Sequence, residues 1–226
     1  MLKLYRSLIN KNKVILFNYK KNSFFGSLYI LLAFIISPLM LRLNPNFISF
    51  LRLLLGFIPL VLSSFLFLNL NLVICFFLIS FTLDYADGLI ARYQKKTSFY
   101  GRFIDGFFDI LVVGFLHIVL IGYLFTSNNY FFNVNFYYIT ILLLPIQHLI
   151  LDRFSAMARW CNTLNTEQKI KPYFRNSYLY RVTFIMCDLQ HLCILLFLFS
   201  SFFDESFLID IYFVLSFTAS IISIII

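Results

Sequence analysis

Charge is scarce in this chain. Of its 226 residues only 12% are Asp, Glu, Lys or Arg, while 61% are hydrophobic. That profile excludes a soluble core and points to an integral membrane protein. Cysteine is sparse too. Cys75, Cys161, Cys187 and Cys193 form no C-x-x-C pair, and three of them lie in apolar runs, so neither a disulfide framework nor a zinc site is expected. The basic N-terminal stretch lacks a long apolar run and a small-residue cleavage site, so no signal peptide is expected. No internal repeat and no lipidation signature is present.

Basic residues are missing from every second connection. All 18 Lys and Arg fall within 3–52, 92–102, 153–159 and 169–181, whereas the connections near 68–71 and 126–136 have none and 203–206 carries Asp204 and Glu205. In a soluble protein a net charge of +8 would suggest nucleic acid. This placement instead follows the positive-inside rule, so no nucleic-acid partner is expected. It puts the N-terminus, the 92–102 loop and the 152–180 connection in the cytoplasm, on the inner face of the cell membrane. The same charges attract anionic membrane lipids.

What is abundant is apolar length. Spans are expected at about 47–67, 71–93, 100–125, 134–156, 180–202 and 207–226, each near the ~20 residues that cross a bilayer. The stretch at 26–43 is apolar but contains Pro38 and ends in Arg42. A span there would invert every later loop, so an amphipathic interfacial helix is expected instead. The fold class is therefore all-α integral membrane, with six transmembrane helices after that helix. Residues 1–46 form a cytoplasmic or interfacial segment, and 47–226 one membrane domain.

Against this background four acids stand out. Asp84, Asp87, Gly88 and Ala91 share one helix face, and Gly101, Asp105 and Asp109 share a face of the next helix. A hairpin near Lys96 sets Asp84 level with Asp109 and Asp87 level with Asp105. With the membrane surface near Arg92 and Gly101, Asp84 and Asp109 lie roughly 12 Å deep at a helical rise of about 1.5 Å per residue. Four carboxyls in apolar surroundings cannot all ionise unaided. A divalent cation resolves the imbalance, and oxygen donors without His or Cys favour Mg²⁺, Mn²⁺ or Ca²⁺ over zinc. The bland reading is a structural salt-bridge network, and the rival functional reading is an ion path.

The spacing D-x₂-D-G-x₂-A-R-x₈-G-x₃-D-x₃-D, complete over 84–109, resembles the signature of the CDP-alcohol phosphatidyltransferases. Asn46-Phe-Ile-Ser49-Phe-Leu-Arg52 resembles that family's opening of the first span, P-N-x-[IL]-[ST]-x-x-R, with Pro45 in place. The bland reading of Asn46 and Ser49 is helix capping. The resemblance covers about 45–205 and implies displacement of CMP from a CDP-linked lipid or alcohol by an acceptor hydroxyl. It implies Mg²⁺ or Mn²⁺ on Asp84, Asp87 and Asp105. Asp109 is implied as general base, also touching metal. Gly88, Ala91, Arg92, Gly101, Asn46 and Ser49 are implied beside the nucleotide, together with Asp84 and Asp87. It also implies a homodimer.

Within that class, CDP-diacylglycerol with a small alcohol or polyol-phosphate acceptor is the expected pairing, because the chain has the short six-span form. A CDP-amino alcohol or CDP-polyol donor with a lipid acceptor is the alternative, and a divalent-cation transporter is the reading from another class. Arg153, Arg159 and Arg181 sit at span ends on the motif side and are candidates for the acceptor's phosphate, though topology alone also accounts for them. His117, His148 and His191 are isolated in apolar helices and read as interhelical packing. Asp188 is given no chemical role.

Overall fold

The computed structural model describes residues 24–65, 69–127, 131–148, 178–202 and 204–225. All regular structure among them is helical. The α-helices are α1 Phe24–Met40, α2 Pro45–Phe65, α3 Leu70–Gln94, α4 Phe99–Ser127, α5 Val134–His148, α6 Tyr178–Leu196 and α7 Glu205–Ile225, with a 3₁₀ segment Phe197–Phe202 between the last two. Among the described residues five helices are long and apolar enough to cross a membrane: Pro45–Ser63, Leu70–Gln94, Tyr100–Ser127, Arg181–Phe199 and Glu205–Ile225. They coincide with five of the six expected spans. The remaining one is described only as α5, whose 15 residues fall short of the ~20 a crossing requires. Residues 149–156 of that expected span lie outside the described residues.

Contacts divide the chain into two compact units, Met1–Gly122 and Tyr123–Ile226. In the first, polar side chains fix the helix ends. The Asn44 carbonyl accepts from the Phe47 and Ile48 amides, and its Oδ1 accepts from the Asn46 amide at 3.2 Å. Asn44 thus caps α2, with Pro45 at the first helical position, where a missing N–H costs nothing. Helix α3 begins on Asn69, whose Oδ1 accepts from the Asn71 amide. It ends at Lys95 in the left-handed region, φ 57°. There the Lys95 and Lys96 amides donate back to the Arg92 and Ala91 carbonyls. Ser98 then caps α4, its Oγ accepting from the Gly101 amide at 2.9 Å. The α3–α4 turn therefore falls at 95–98, where the hairpin was expected.

Helix α1 runs alongside α3 in the same direction. Tyr29 stacks on Tyr85 and meets Phe81 edge-on. One turn on, Ile30, Ala33 and Phe34 pack with Ala86 and Leu89. At the far end the Gln94 side-chain amide donates to the Leu41 and Leu43 carbonyls at 2.7 and 2.8 Å. The expected amphipathic character is absent. The helix has no charged residue, and its outer face exposes Phe24, Leu31, Leu32, Ile35 and Leu39. Both sides suit hydrocarbon. Because lipid is as apolar as these side chains, the α1–α3 contact holds by close packing rather than by exclusion of water.

In the second unit, several polar groups in apolar surroundings are paired. The Tyr137 hydroxyl donates to Asp210, which also accepts the Phe131 amide at 3.2 Å. The Tyr123 hydroxyl donates to Glu205, and Ser220 Oγ donates to Gln147 Oε1 at 2.9 Å. Asp204 precedes α7 and accepts from the Ser206 amide and hydroxyl, which hold its carboxyl below the usual carboxylate range.

Candidate active site

Helices α2, α3 and α4 meet around the acids. Down the α2–α3 interface, Ser49 Oγ donates to Asp87 Oδ2, Arg52 Nη1 donates to Asp84 Oδ1, and Ser80 Oγ donates to the Arg52 carbonyl at 3.0 Å. Falling numbers on α3 meet rising numbers on α2, as in an antiparallel pair. The α2–α4 interface begins at the same arginine. Nη1 also reaches Asp105 Oδ1 at 3.0 Å, and Nη2 reaches Asp109 Oδ1. Deeper along it, a Cβ on Gly56 would lie 3.1 Å from a Val112 methyl. Phe57 meets Phe115 edge-on. Gly56 thus leaves room for the Val112 side chain against α2.

The motif acids Asp84, Asp105 and Asp109 therefore converge on one guanidinium, with Asp87 held beside them by Ser49. Arg52 is sealed in, its side chain only 1% exposed, whereas those of Asp84, Asp105 and Asp109 are 25%, 42% and 35% exposed. Asp87 is 4% exposed. The arginine forms the floor and three of the carboxylates the accessible wall. Each acid keeps one oxygen that neither Arg52 nor Ser49 uses.

Arg52 received no site role from the sequence, although it is the residue around which the acids gather. The signal was there. It lies three residues after Ser49, on the same helix face, and a lone arginine inside an apolar span is costly unless it faces a partner. Ser49 caps nothing: besides donating to Asp87, its hydroxyl returns to the Pro45 carbonyl at 3.2 Å. Asn46 does not cap α2 either. Its Oδ1 would lie 3.5 Å from a Cβ on Gly101, so those two nucleotide-side candidates are neighbours. A Cβ on Gly88 would lie 3.2 Å from Arg92 Nη1; the arginine folds over the glycine one turn back. Ala91 is half-buried beside them and accepts the helix-ending hydrogen bond from Lys96.

Arg181 is exposed on α6, in the second unit. Arg153 and Arg159 lie outside the described residues. His117 is 1% exposed, and its Nδ1 lies 2.8 Å from the Val113 carbonyl, a bond within its own helix. His148 closes α5 in sequence, and His191 lies half-buried on α6.

Among the described residues no three His, Cys, Asp or Glu side chains stand at metal-holding geometry, the guanidinium being at the centre of the cluster. The donor set nonetheless fits a hard cation. It is all oxygen, four acids face one base, and each acid has an oxygen that Arg52 and Ser49 leave unused, although Asp84 and Asp105 hydrogen-bond to each other.

A family model described as CDP-alcohol phosphatidyltransferase matches residues 42–172. The match takes in α2, α3 and α4 whole, with every residue of the acid cluster. No curated protein matches the chain.

Proposed function

The chain belongs to the CDP-alcohol phosphatidyltransferase family, and from that premise we propose that it moves a phosphatidyl group from CDP-diacylglycerol to the hydroxyl of a small alcohol or polyol phosphate, releasing CMP. The observation that carries this reading is the convergence of Asp84, Asp105 and Asp109 on Arg52, with Asp87 fixed beside them. Acids from two helices, gathered inside an apolar bundle yet accessible, are arranged to hold a charged group rather than to brace helices.

The chemistry is a displacement at phosphorus. The acceptor oxygen bonds to the phosphorus that carries the diacylglycerol, the bond from that phosphorus to the CMP oxygen breaks, and CMP leaves. Asp109 takes the hydroxyl proton as the new bond forms. Asp84, Asp87 and Asp105, with Asp109 adjoining, would hold Mg²⁺ or Mn²⁺, which would supply positive charge to offset that of the diphosphate. Arg92 binds the nucleotide's phosphates. Its present position over Gly88 is one a cytidine would claim, since glycine leaves the backbone open to a flat ligand. Gly101 and Asn46 form the neighbouring wall. Arg153, Arg159 and Arg181 bind the acceptor's phosphate where it has one.

The enzyme works as a homodimer in the cell membrane, with the site facing the cytoplasm. Support for the orientation is the charge asymmetry of the loops. Support for the dimer is family membership. A lipid donor reaches such a site sideways from the bilayer, while CMP and the acceptor exchange with water.

The divalent-cation transporter is disfavoured by what lies beyond the acids. Deeper in α3 the buried residues include Val73, Ile74 and Phe77, and deeper in α4 Val112, Leu116 and Leu120, while the buried polar Ser80 and His117 there are bonded to the Arg52 and Val113 carbonyls. An ion path requires polar groups there. The test is to incubate purified protein with Mg²⁺ or Mn²⁺, a CDP-linked donor and a panel of alcohols, and to measure CMP. CDP-diacylglycerol is expected to support release with at least one small alcohol or polyol phosphate. Release only from a CDP-amino alcohol with a diacylglycerol acceptor contradicts the donor assignment, and no release from any donor contradicts the reaction.

A further inference from the structure

Arg52 does more than sit near the acids. Its Nη1 is shared by Asp84 and Asp105, from different helices, and its Nη2 is held by Asp109. The guanidinium thus stands where the carboxylates of α3 and α4 meet, which is where a cation serving both helices must draw its oxygens. Its remaining polar atom, Nε, is buried and has no hydrogen-bond partner among the described residues. The acids are what hold this side chain. An arginine built in as a permanent brace would be expected to use its full fork of donors.

We propose that Arg52 is a built-in counter-cation: it gathers Asp84, Asp105 and Asp109 in the metal-free protein and competes with the divalent cation for their oxygens. This rests on the metal-assisted reading above. In the metal-free chain, four carboxyls left without a cation would repel one another and splay, so the arginine keeps the site assembled. When a divalent ion arrives, the same positive charge opposes it. Arg52 is a positioning residue in this account, since it acts through the acids and not on the reacting atoms. The opposition sets the metal affinity lower than four carboxylates alone would give, so the ion is held reversibly.

The experiment measures Mn²⁺ binding to the full chain in detergent or nanodiscs at pH 8, through the electron paramagnetic resonance signal of free Mn²⁺. Thermal unfolding in EDTA is followed in parallel. Arg52→Gln is expected to bind Mn²⁺ about tenfold tighter than wild type or more, because that is the effect of removing one unit charge a few ångströms from a divalent ion even in a water-like dielectric. The same variant is expected to unfold at a lower temperature in EDTA and to regain stability with Mn²⁺. Should it fail to fold, Arg52→Met serves. It too removes the charge while keeping a long side chain in the apolar floor, and it is expected to bind Mn²⁺ about tenfold tighter than wild type.

Affinity equal to or weaker than wild type in the folded variant overturns the proposal, and a lower unfolding temperature without tighter binding does the same by marking a brace only. If the wild-type chain shows no saturable Mn²⁺ binding, the metal reading itself fails and this inference falls with it. Wild-type binding that the variants do not improve sinks this inference alone.

Discussion

Ser49 on α2 donates its hydroxyl to the Asp87 carboxylate on α3, and that bond fixes the one motif acid that Arg52 does not reach. Asp87 is nearly sealed from solvent. Ser49→Ala removes the partner of a buried acid and is expected to cost about 1.5–3 kcal/mol, the range for a hydrogen bond to a charged group. Chemical denaturation in detergent measures that loss, and a parallel fall in CMP release is expected. Unchanged stability would mean that the bond does not hold Asp87.

Gly88 separates packing from ligand binding. An alanine Cβ there would stand 3.2 Å from Arg92 Nη1, the mobile end of a long side chain, which can move aside. Gly88→Ala should therefore leave stability unchanged or raise it by up to about 1 kcal/mol, the helix-propensity gain over glycine. Affinity for cytidine nucleotides should fall, because the methyl takes space the nucleotide requires. Equilibrium binding of CDP alongside a melting curve checks both halves. Unaltered CDP affinity would remove Gly88 from the nucleotide site.

Gly56 is the opposite case. A Cβ there would meet both Val112 methyls, at 3.1 and 3.2 Å, in the packed α2–α4 interface. Gly56→Leu is expected to destabilise by about 1–3 kcal/mol through overpacking. Because α2 carries Arg52, CMP release should drop with it. Wild-type stability in this variant would show that the two helices have room to part.

Much of this was legible in the sequence. Apolar length and loop charge gave the helical membrane class, and the 3–4 residue spacing of Asp84, Asp87, Asp105 and Asp109 put the acids on facing helix sides before any coordinates. Two features were not legible, for physical reasons: which acids Arg52 pairs with, and how helix α1 packs. Arg52 is separated from the acids by more than 30 residues, and helical periodicity speaks only to neighbours one turn apart. Pairing across helices depends on how they cross. Helix α1 was judged from loop charge, which weighs topology and not packing. Its alternation of small and aromatic residues against α3, with Ala33 beside Ala86 and Tyr29 on Tyr85, carries no periodic polar signal.

Tyr137 and Asp210 offer a check remote in sequence from the motif. The buried hydroxyl donates to a carboxylate that also accepts the Phe131 amide. Removing one partner leaves the other unsatisfied. Asp210→Ala strands two neutral donors and is expected to cost about 1–3 kcal/mol for each, and Tyr137→Phe less in total. Melting temperatures of the two variants test that order; the reverse order would contradict it.

The central claim is that the acids of α3 and α4 form the chemical site of a phosphatidyl transfer. Asp109→Asn tests it most directly, with CMP release from CDP-diacylglycerol measured beside CDP binding. The account predicts that turnover is lost while the folded variant still binds CDP. Full CMP release by Asp109→Asn, or divalent-cation flux across liposomes by a wild-type chain that releases no CMP, would contradict it.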